Sequence, residues 1–191
     1  MEGEKNGSKI AVQSLEEALA ELTKLDTEAE PDSFLPGVTR AERLFLYDEL
    51  LQPELTARYL DKPRLDMVCR VAMAQLVFPK FHPPKNSGLA SLARSPLRSD
   101  TVWGITVDIK GLDLKRLDRY KGAPNRYHRR GIVVLDRGDL KYPAATYVVS
   151  VPDPQPSKPS KELLTTIIEG AKIRNLPTDY IAFLEGLETL D

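Results

Sequence analysis

The order of strand-like and helix-like segments most strongly limits the folds open to this chain of 191 residues. A helical pattern comes first, then one strand, a short helix, several strands around another short helix, and two terminal helices. A doubly wound parallel sheet would need strands that alternate regularly with long helices. Because this order lacks that alternation, it predicts an α+β fold.

The N-terminal quarter of the chain reads as a separate extension. The segment "SLEEALAELTKL", Ser14 to Leu25, repeats its apolar residues at three- and four-residue steps, which predicts an amphipathic helix. The acidic, proline-punctuated segment "DTEAEPDSFLPG" then reads as a linker. We therefore predict a helical extension and linker over residues 1–40 and a folded domain over 41–191. The helix packs on that domain or holds a partner; the pattern leaves both open.

Charge and composition exclude several functional classes. The 27 Lys and Arg residues balance the 28 Asp and Glu residues, whereas nucleic-acid binders usually carry a basic excess. One cysteine, Cys69, and two histidines do not form a recognisable metal-ligand pattern. The sequence shows no apolar run long enough for a membrane span and no signal-peptide pattern at its start. We therefore expect a cytoplasmic protein without a metal or other cofactor, and without nucleic-acid or membrane partners.

The stretch "LFLYDELLQ", Leu44 to Gln52, holds the first candidate site. Its apolar run stops at two adjacent acids, Asp48 and Glu49, and resumes at Leu50. Taken with Pro53, which suits the first turn of a helix, the stretch predicts a strand end, a turn and a helix start. Trp103 lies beside Gly104 in another predicted strand and is expected to belong to the core.

Three stretches together resemble the γ-glutamylcyclotransferase-like family, which includes AIG2-like proteins. They are "LFLYDELLQPEL", "VWGITVDIKGLDLKRLDRYKGAPNRYHRRGIVV" and "PSKELLTTIIEGAKIRNLPTDYIAFL". The third is the most specific, because "GA" at Gly170 and Ala171 and "LPTDY" at 176–180 are not general helix features. The resemblance covers residues 44–184 and implies a small mixed, barrel-like sheet flanked by helices, with a cavity at its mouth.

The resemblance also implies a chemistry from which this chain departs at two positions. In the family, backbone amides of a Tyr-Gly-Ser/Thr turn hold the substrate, and a glutamate after the short helix serves as acid and base. Here Asp48 and Glu49 replace the Gly and Ser/Thr, and Lys121 occupies the glutamate position. Lys121 is either a solvated residue at a helix C-terminus or a cavity residue, acting as an anion-binding cation, a Schiff-base amine or a base of lowered pKa.

These departures leave three functional hypotheses. The first is a diverged enzyme that acts on a small polar or biosynthetic intermediate by a lyase, cyclisation or isomerisation step. The second is a γ-glutamyl-amine cyclotransferase that releases 5-oxoproline, and the third is a catalytically silent ligand-binding or scaffold protein. We expect a small-molecule substrate and leave a homodimer open. The candidate catalytic residues are Glu49 and Lys121, and the candidate substrate-binding residues are Tyr47, Asp48, Leu50, His82 and Tyr127.

Overall fold

The computed structural model describes residues 43–190, apart from the side chain of Asp66. The predicted N-terminal helix lies outside the described residues. The described strands are β1 (Arg43–Leu46), β2 (Leu65–Ala72), β3 (Ala74–Val77), β4 (Phe81–His82), β5 (Ser87–Gly88), β6 (Ser91–Arg94), β7 (Thr101–Asp108), β8 (Tyr127–Leu135) and β9 (Lys141–Val149). The described α-helices are α1 (Pro53–Tyr59), α2 (Gly111–Lys121), α3 (Lys161–Ile173) and α4 (Thr178–Glu185).

Five of these strands close into a small barrel in the order β1, β7, β2, β8, β9. The pairing of β1 with β9 is parallel and the other barrel pairings are antiparallel, so the sheet is mixed. Two short antiparallel pairs, β3 with β6 and β4 with β5, lie outside the barrel. This architecture confirms the predicted α+β fold with a mixed, barrel-like sheet and flanking helices.

Strand β1 is buried on both faces, as its uninterrupted apolar run predicts. Leu44, Phe45 and Leu46 are each at most 2% exposed. The strand then turns into a short 3-10 helix, Glu49–Leu51, and α1 follows with Pro53 in its first turn. The predicted sequence of strand end, turn and helix start is therefore confirmed.

Helix α3 packs directly against this turn. It begins at the Ser160 cap, whose hydroxyl oxygen accepts a hydrogen bond from the Leu163 amide at 3.2 Å. At Gly170 a Cβ atom would lie only 2.7 Å from the Leu51 Cβ and 2.8 Å from the Gln52 nitrogen. Glycine is therefore needed for this close approach, which holds the turn after β1 in place.

Helix α2 ends at a left-handed glycine. Gly122 has φ +67° and its amide donates to the Arg119 carbonyl, an arrangement typical of helix C-termini. Lys121 is thus the last helical residue, and its side chain is directed into the protein. Within residues 43–190, no helix is long and apolar enough to cross a membrane.

Candidate functional site

Three charged side chains meet at the mouth of the barrel. Asp48 and Glu49 come from the turn after β1, and Lys121 comes from the end of α2. They are only 3%, 8% and 2% exposed, respectively. The alternative of a solvated Lys121 at the helix C-terminus is therefore wrong, and so is a solvated acidic turn. We call Asp48, Glu49 and Lys121 the mouth cluster.

Short hydrogen bonds join the members of the mouth cluster. The Lys121 ammonium donates to Asp48 Oδ2 at 2.6 Å and to Glu49 Oε1 at 3.1 Å. The other Asp48 oxygen accepts from the Leu50 amide at 3.1 Å, and Glu49 Oε1 also accepts from the Tyr120 hydroxyl at 3.0 Å. One ammonium therefore donates to two carboxylates. The Leu50 amide and the Tyr120 hydroxyl donate further hydrogen bonds to these carboxylates.

Two aromatic rings enclose the ammonium. Lys121 Nζ lies 4.9 Å from the centroid of the Tyr127 ring and 5.5 Å from that of Tyr120, within cation–π range. The Tyr127 hydroxyl donates to the Ala90 carbonyl at 3.1 Å, which fixes the ring. Such an environment favours the protonated lysine.

The titration of the mouth cluster follows from these contacts. Burial alone lowers the pKa of Lys121, but Asp48 and Glu49 outweigh burial and raise it well above its ordinary value. Burial opposes ionisation of Glu49, yet Lys121 and Lys85 hold its pKa at about 2. Burial and the neighbouring Glu49 charge raise the pKa of Asp48, against the attraction of Lys121. At neutral pH, Lys121 is consequently a hydrogen-bond donor and Glu49 is ionised.

Basic residues form the rim of the site. Lys85 Nζ lies 4.0 Å from Glu49 Oε1 and is about half exposed. Arg126 donates to the Lys121 and Tyr120 carbonyls at 2.9 and 2.6 Å, so it caps the end of α2 and fixes the position of Lys121. The guanidinium also lies 3.1 Å from His82 Nε2. Burial, together with Arg126 and Lys85, lowers the pKa of His82, which therefore stays neutral at pH 7.

The cavity left at the mouth is about 10 Å³, room for a single water molecule. Its lining residues are Glu49, Lys85, Leu89, Tyr120, Lys121, Arg126 and Tyr127. Side chains of the protein itself thus occupy the place where the family resemblance implies a substrate cavity. In the described part of the chain, no group of three or more His, Cys, Asp or Glu side chains could hold a metal ion.

The structure brings together most of the site residues expected from the sequence. Glu49, Asp48, Lys121 and Tyr127 are in contact or adjacent, and His82 reaches the rim through Arg126. Tyr47 and Leu50 lie behind them in the core. The Tyr47 hydroxyl donates to the Tyr147 carbonyl at 2.7 Å and does not line the mouth.

Sequence reasoning missed three contributors to the site: Tyr120, Lys85 and Arg126. Tyr120 precedes Lys121 and stacks on Tyr59 with a centroid distance of 4.2 Å. A local signal existed for Arg126 alone, since a basic residue soon after a helix-ending glycine is a candidate donor to the last carbonyls. Lys85 reaches the site from the loop between β4 and β5, and no spacing pattern indicates that contact.

Comparisons with known proteins agree with this architecture. Residues 101–184 match the model of the AIG2-like family. A solved γ-glutamyl cyclotransferase superposes with a TM-score of 0.72 at 23% identity, over 80% of this chain and 90% of that one. The human protein loc79017 gives a TM-score of 0.72 at 23% identity, over 79% and 90% of the two chains.

A third solved structure, YkqA from Bacillus subtilis, gives a TM-score of 0.62 at 15% identity. That comparison covers 78% of this chain and 56% of YkqA. No curated protein matches the sequence. Residues 101–184 are thus similar to the AIG2-like family, and the superpositions supply the fold: this chain has the γ-glutamylcyclotransferase-like fold.

Proposed function

We propose that this protein does not cyclise γ-glutamyl substrates and works instead as a catalytically silent ligand-binding or scaffold protein. One observation carries the proposal. The Lys121 ammonium lies 2.6 Å from Asp48 and 3.1 Å from Glu49, so it stands where the family has its acid-base glutamate and already pairs with both carboxylates of the mouth cluster. A substrate ammonium would therefore find neither the family's glutamate nor an unpaired carboxylate at Asp48 or Glu49.

The proton chemistry supports the same conclusion. Cyclisation requires a base that removes a proton from the α-ammonium of the substrate, and the best base has a pKa near the working pH. Lys121 holds its proton at neutral pH because two carboxylates surround it. Glu49, with a pKa of about 2, is a weak base. Neither side chain is tuned for this proton transfer.

The available space supports it as well. Pockets for small molecules commonly measure roughly 300–1,000 Å³, whereas the cavity that the described residues leave beside the mouth cluster measures about 10 Å³. A γ-glutamyl substrate could enter only after Lys121 left its two carboxylates. That movement would leave two buried carboxyl groups, one of them the ionised Glu49, without their cationic partner, which is costly.

Release of 5-oxoproline from a panel of γ-glutamyl amino acids and γ-glutamyl amines tests this proposal. We expect the purified full-length chain to release none above the rate of the uncatalysed reaction. Release that disappears in Glu49→Gln and persists in Glu54→Gln would contradict the proposal. Glu54 is the matched control because it is an exposed glutamate on α1, in the segment that follows the turn.

A second function is favoured by the position of Glu49 at the cavity wall, between the cations of Lys85 and Lys121. In this alternative, a small anionic intermediate binds beside Lys85 and draws its cation from Glu49, whose pKa then rises enough for Glu49 to act as acid and base in a lyase or cyclisation step. Proton NMR of the protein with small carboxylic acids would reveal conversion. Conversion that requires both Glu49 and Lys121 would favour the enzyme over the binding protein.

A further inference from the structure

We propose that a second site, remote in sequence from the mouth cluster, binds a small organic cation with an apolar body. The site is a groove between β3, the start of β7 and α4, with a volume of about 330 Å³. We call it the aromatic groove, and its lining residues are Ala74, Gln75, Leu76, Ser99, Asp100, Thr101, Trp103, Asp179, Tyr180 and Phe183.

The apolar part of the groove consists of aromatic rings on a buried aliphatic base. Trp103 is partly buried, and Tyr180 stacks on Phe183 with a centroid distance of 5.8 Å. Ala74 and Leu76 are buried beside them. Phe183 is about half exposed. The groove thus offers aromatic rings to an incoming apolar group. Such rings attract cations, and the Arg70 guanidinium already lies 5.8 Å from the centroid of the Trp103 ring.

The charged part of the groove is negative. Asp100 and Asp179 are among the ten lining residues, which include no lysine, arginine or histidine. Ser95 and Gln75 donate to Asp100 and lower its pKa, so this carboxylate is ionised at neutral pH. Asp179 is exposed in the first turn of α4. Two carboxylates beside aromatic rings attract cations and repel anions.

These features identify the ligand class. An ammonium group would lie near Asp100 or Asp179, and its aromatic or aliphatic body would cover Trp103 and Phe183. A volume of about 330 Å³ suits a ligand of one or two rings. An anion of the same shape would meet two negative charges and bind more weakly. This inference does not depend on the chemistry of the barrel mouth, because no residue lines both sites.

The groove carries its own spectroscopic reporter, since Trp103 is the one tryptophan of the whole chain. Titration of the full-length protein with phenethylamine, phenylacetate and 2-phenylethanol compares a cation, an anion and a neutral compound of similar shape. We expect saturable changes in Trp103 fluorescence, with phenethylamine about fivefold tighter than 2-phenylethanol and phenylacetate weakest. NMR of the Trp103 indole N–H would separate binding from collisional quenching.

Matched variants locate the binding. Asp179→Asn removes the charge but keeps an oxygen that accepts from the Tyr180 amide, a bond of 3.0 Å. It should weaken phenethylamine binding about two- to fivefold and leave 2-phenylethanol unchanged. Glu162→Gln is the control, because Glu162 is likewise an exposed acid in the first turn of a helix, α3.

Three results would overturn the proposal. They are the lack of saturable binding by phenethylamine, equal affinities for phenethylamine and phenylacetate, and equal losses in Asp179→Asn and Glu162→Gln. The 5-oxoproline assay is independent of this titration. If the groove does not bind cations, the titration shows it. If the mouth is catalytic, the 5-oxoproline assay shows it, so the two failures can be told apart.

Discussion

The barrel mouth and the aromatic groove differ in whether their charged groups are paired inside the protein or face an open space. At the mouth, the buried charges are paired and the remaining cavity is about 10 Å³. In the groove, the carboxylates stand at an open space of about 330 Å³. The paired charges of the mouth therefore contact one another and leave little room for a ligand. In the groove, aromatic side chains with a few polar groups around an open space are typical of a small-molecule site.

The largest effect should come from removing the shared cation of the mouth. Lys121→Met keeps most of the length of the side chain but leaves Asp48 and Glu49 buried without their cationic partner. We expect the free energy of unfolding to fall by about 3–5 kcal/mol, as for other broken buried ion pairs. Chemical denaturation with urea measures this change.

Two further variants test the cause of that loss. Lys115→Met changes an exposed lysine of the same helix and should alter stability by less than about 0.5 kcal/mol. Replacing the whole cluster, Asp48→Asn with Glu49→Gln and Lys121→Met, should recover much of the lost stability, since no unpaired charge remains. A Lys121→Met variant as stable as the wild type would mean that the mouth cluster does not hold the turn to α2.

The turn after β1 shows what could be predicted from the sequence. The uninterrupted apolar run, the two acids and Pro53 are local signals, and they gave the correct order of strand, turn and helix. The same is true of the glycine in "GA", where Gly170 lies against Leu51. Local patterns succeed here because they specify backbone conformation and close packing directly.

The burial of Lys121 could not be predicted in the same way. Its partners Asp48 and Glu49 lie more than 70 positions away in the sequence, so no local pattern reveals the pairing. Without partners, a lysine at a helix C-terminus is most stable in solvent, which is why both alternatives stayed open. Tertiary contact decided between them.

The aromatic groove was missed for a related reason. Its lining comes from three separate segments, 74–76, 99–103 and 179–183, and none carries a motif. Trp103 was expected in the core, yet it is only partly buried and borders the groove. A β-rich segment predicts that one face packs inward, but it does not show where a neighbouring helix leaves a gap.

Acid should reduce the contribution of the mouth cluster to the free energy of unfolding more than that of the groove carboxylates. The pKa of Glu49 falls from 4.5 to about 2 on folding, so Glu49 stabilises the protein above pH 4.5 and loses that effect as the pH falls towards 2. By itself this is worth roughly 3 kcal/mol. The raised pKa of Asp48 acts in the opposite direction and offsets part of the loss.

Unfolding measured between pH 5 and pH 2 tests this balance. Glu49→Gln should flatten the pH dependence over this window, because the group that takes up the proton is gone. Glu54→Gln should keep the wild-type slope. An unchanged slope in Glu49→Gln would show that Glu49 does not gain its acidity from the mouth cluster.

The smallest expected effect comes from removing one tyrosine hydroxyl in each of the two regions. The Tyr180 hydroxyl at the groove is buried and makes no hydrogen bond with the described residues. Burial raises the pKa of Tyr180, and the nearby Trp103 backbone lowers it in part. The two groups do not form a hydrogen bond of normal geometry. The Tyr47 hydroxyl behind the mouth is equally buried but donates to the Tyr147 carbonyl at 2.7 Å.

Removing each hydroxyl should therefore have opposite consequences. Tyr180→Phe should leave the free energy of unfolding unchanged or raise it by up to about 1 kcal/mol, because an unsatisfied polar group is lost. Tyr47→Phe should lower it by about 0.5–1.5 kcal/mol, because the hydrogen bond from its hydroxyl to the Tyr147 carbonyl is lost. Urea denaturation of both variants measures the difference. A loss in Tyr180→Phe as large as that in Tyr47→Phe would mean that the Tyr180 hydroxyl has a hydrogen-bond partner in solution. The buried polar groups of the groove would then be hydrogen-bonded, as those of the mouth are.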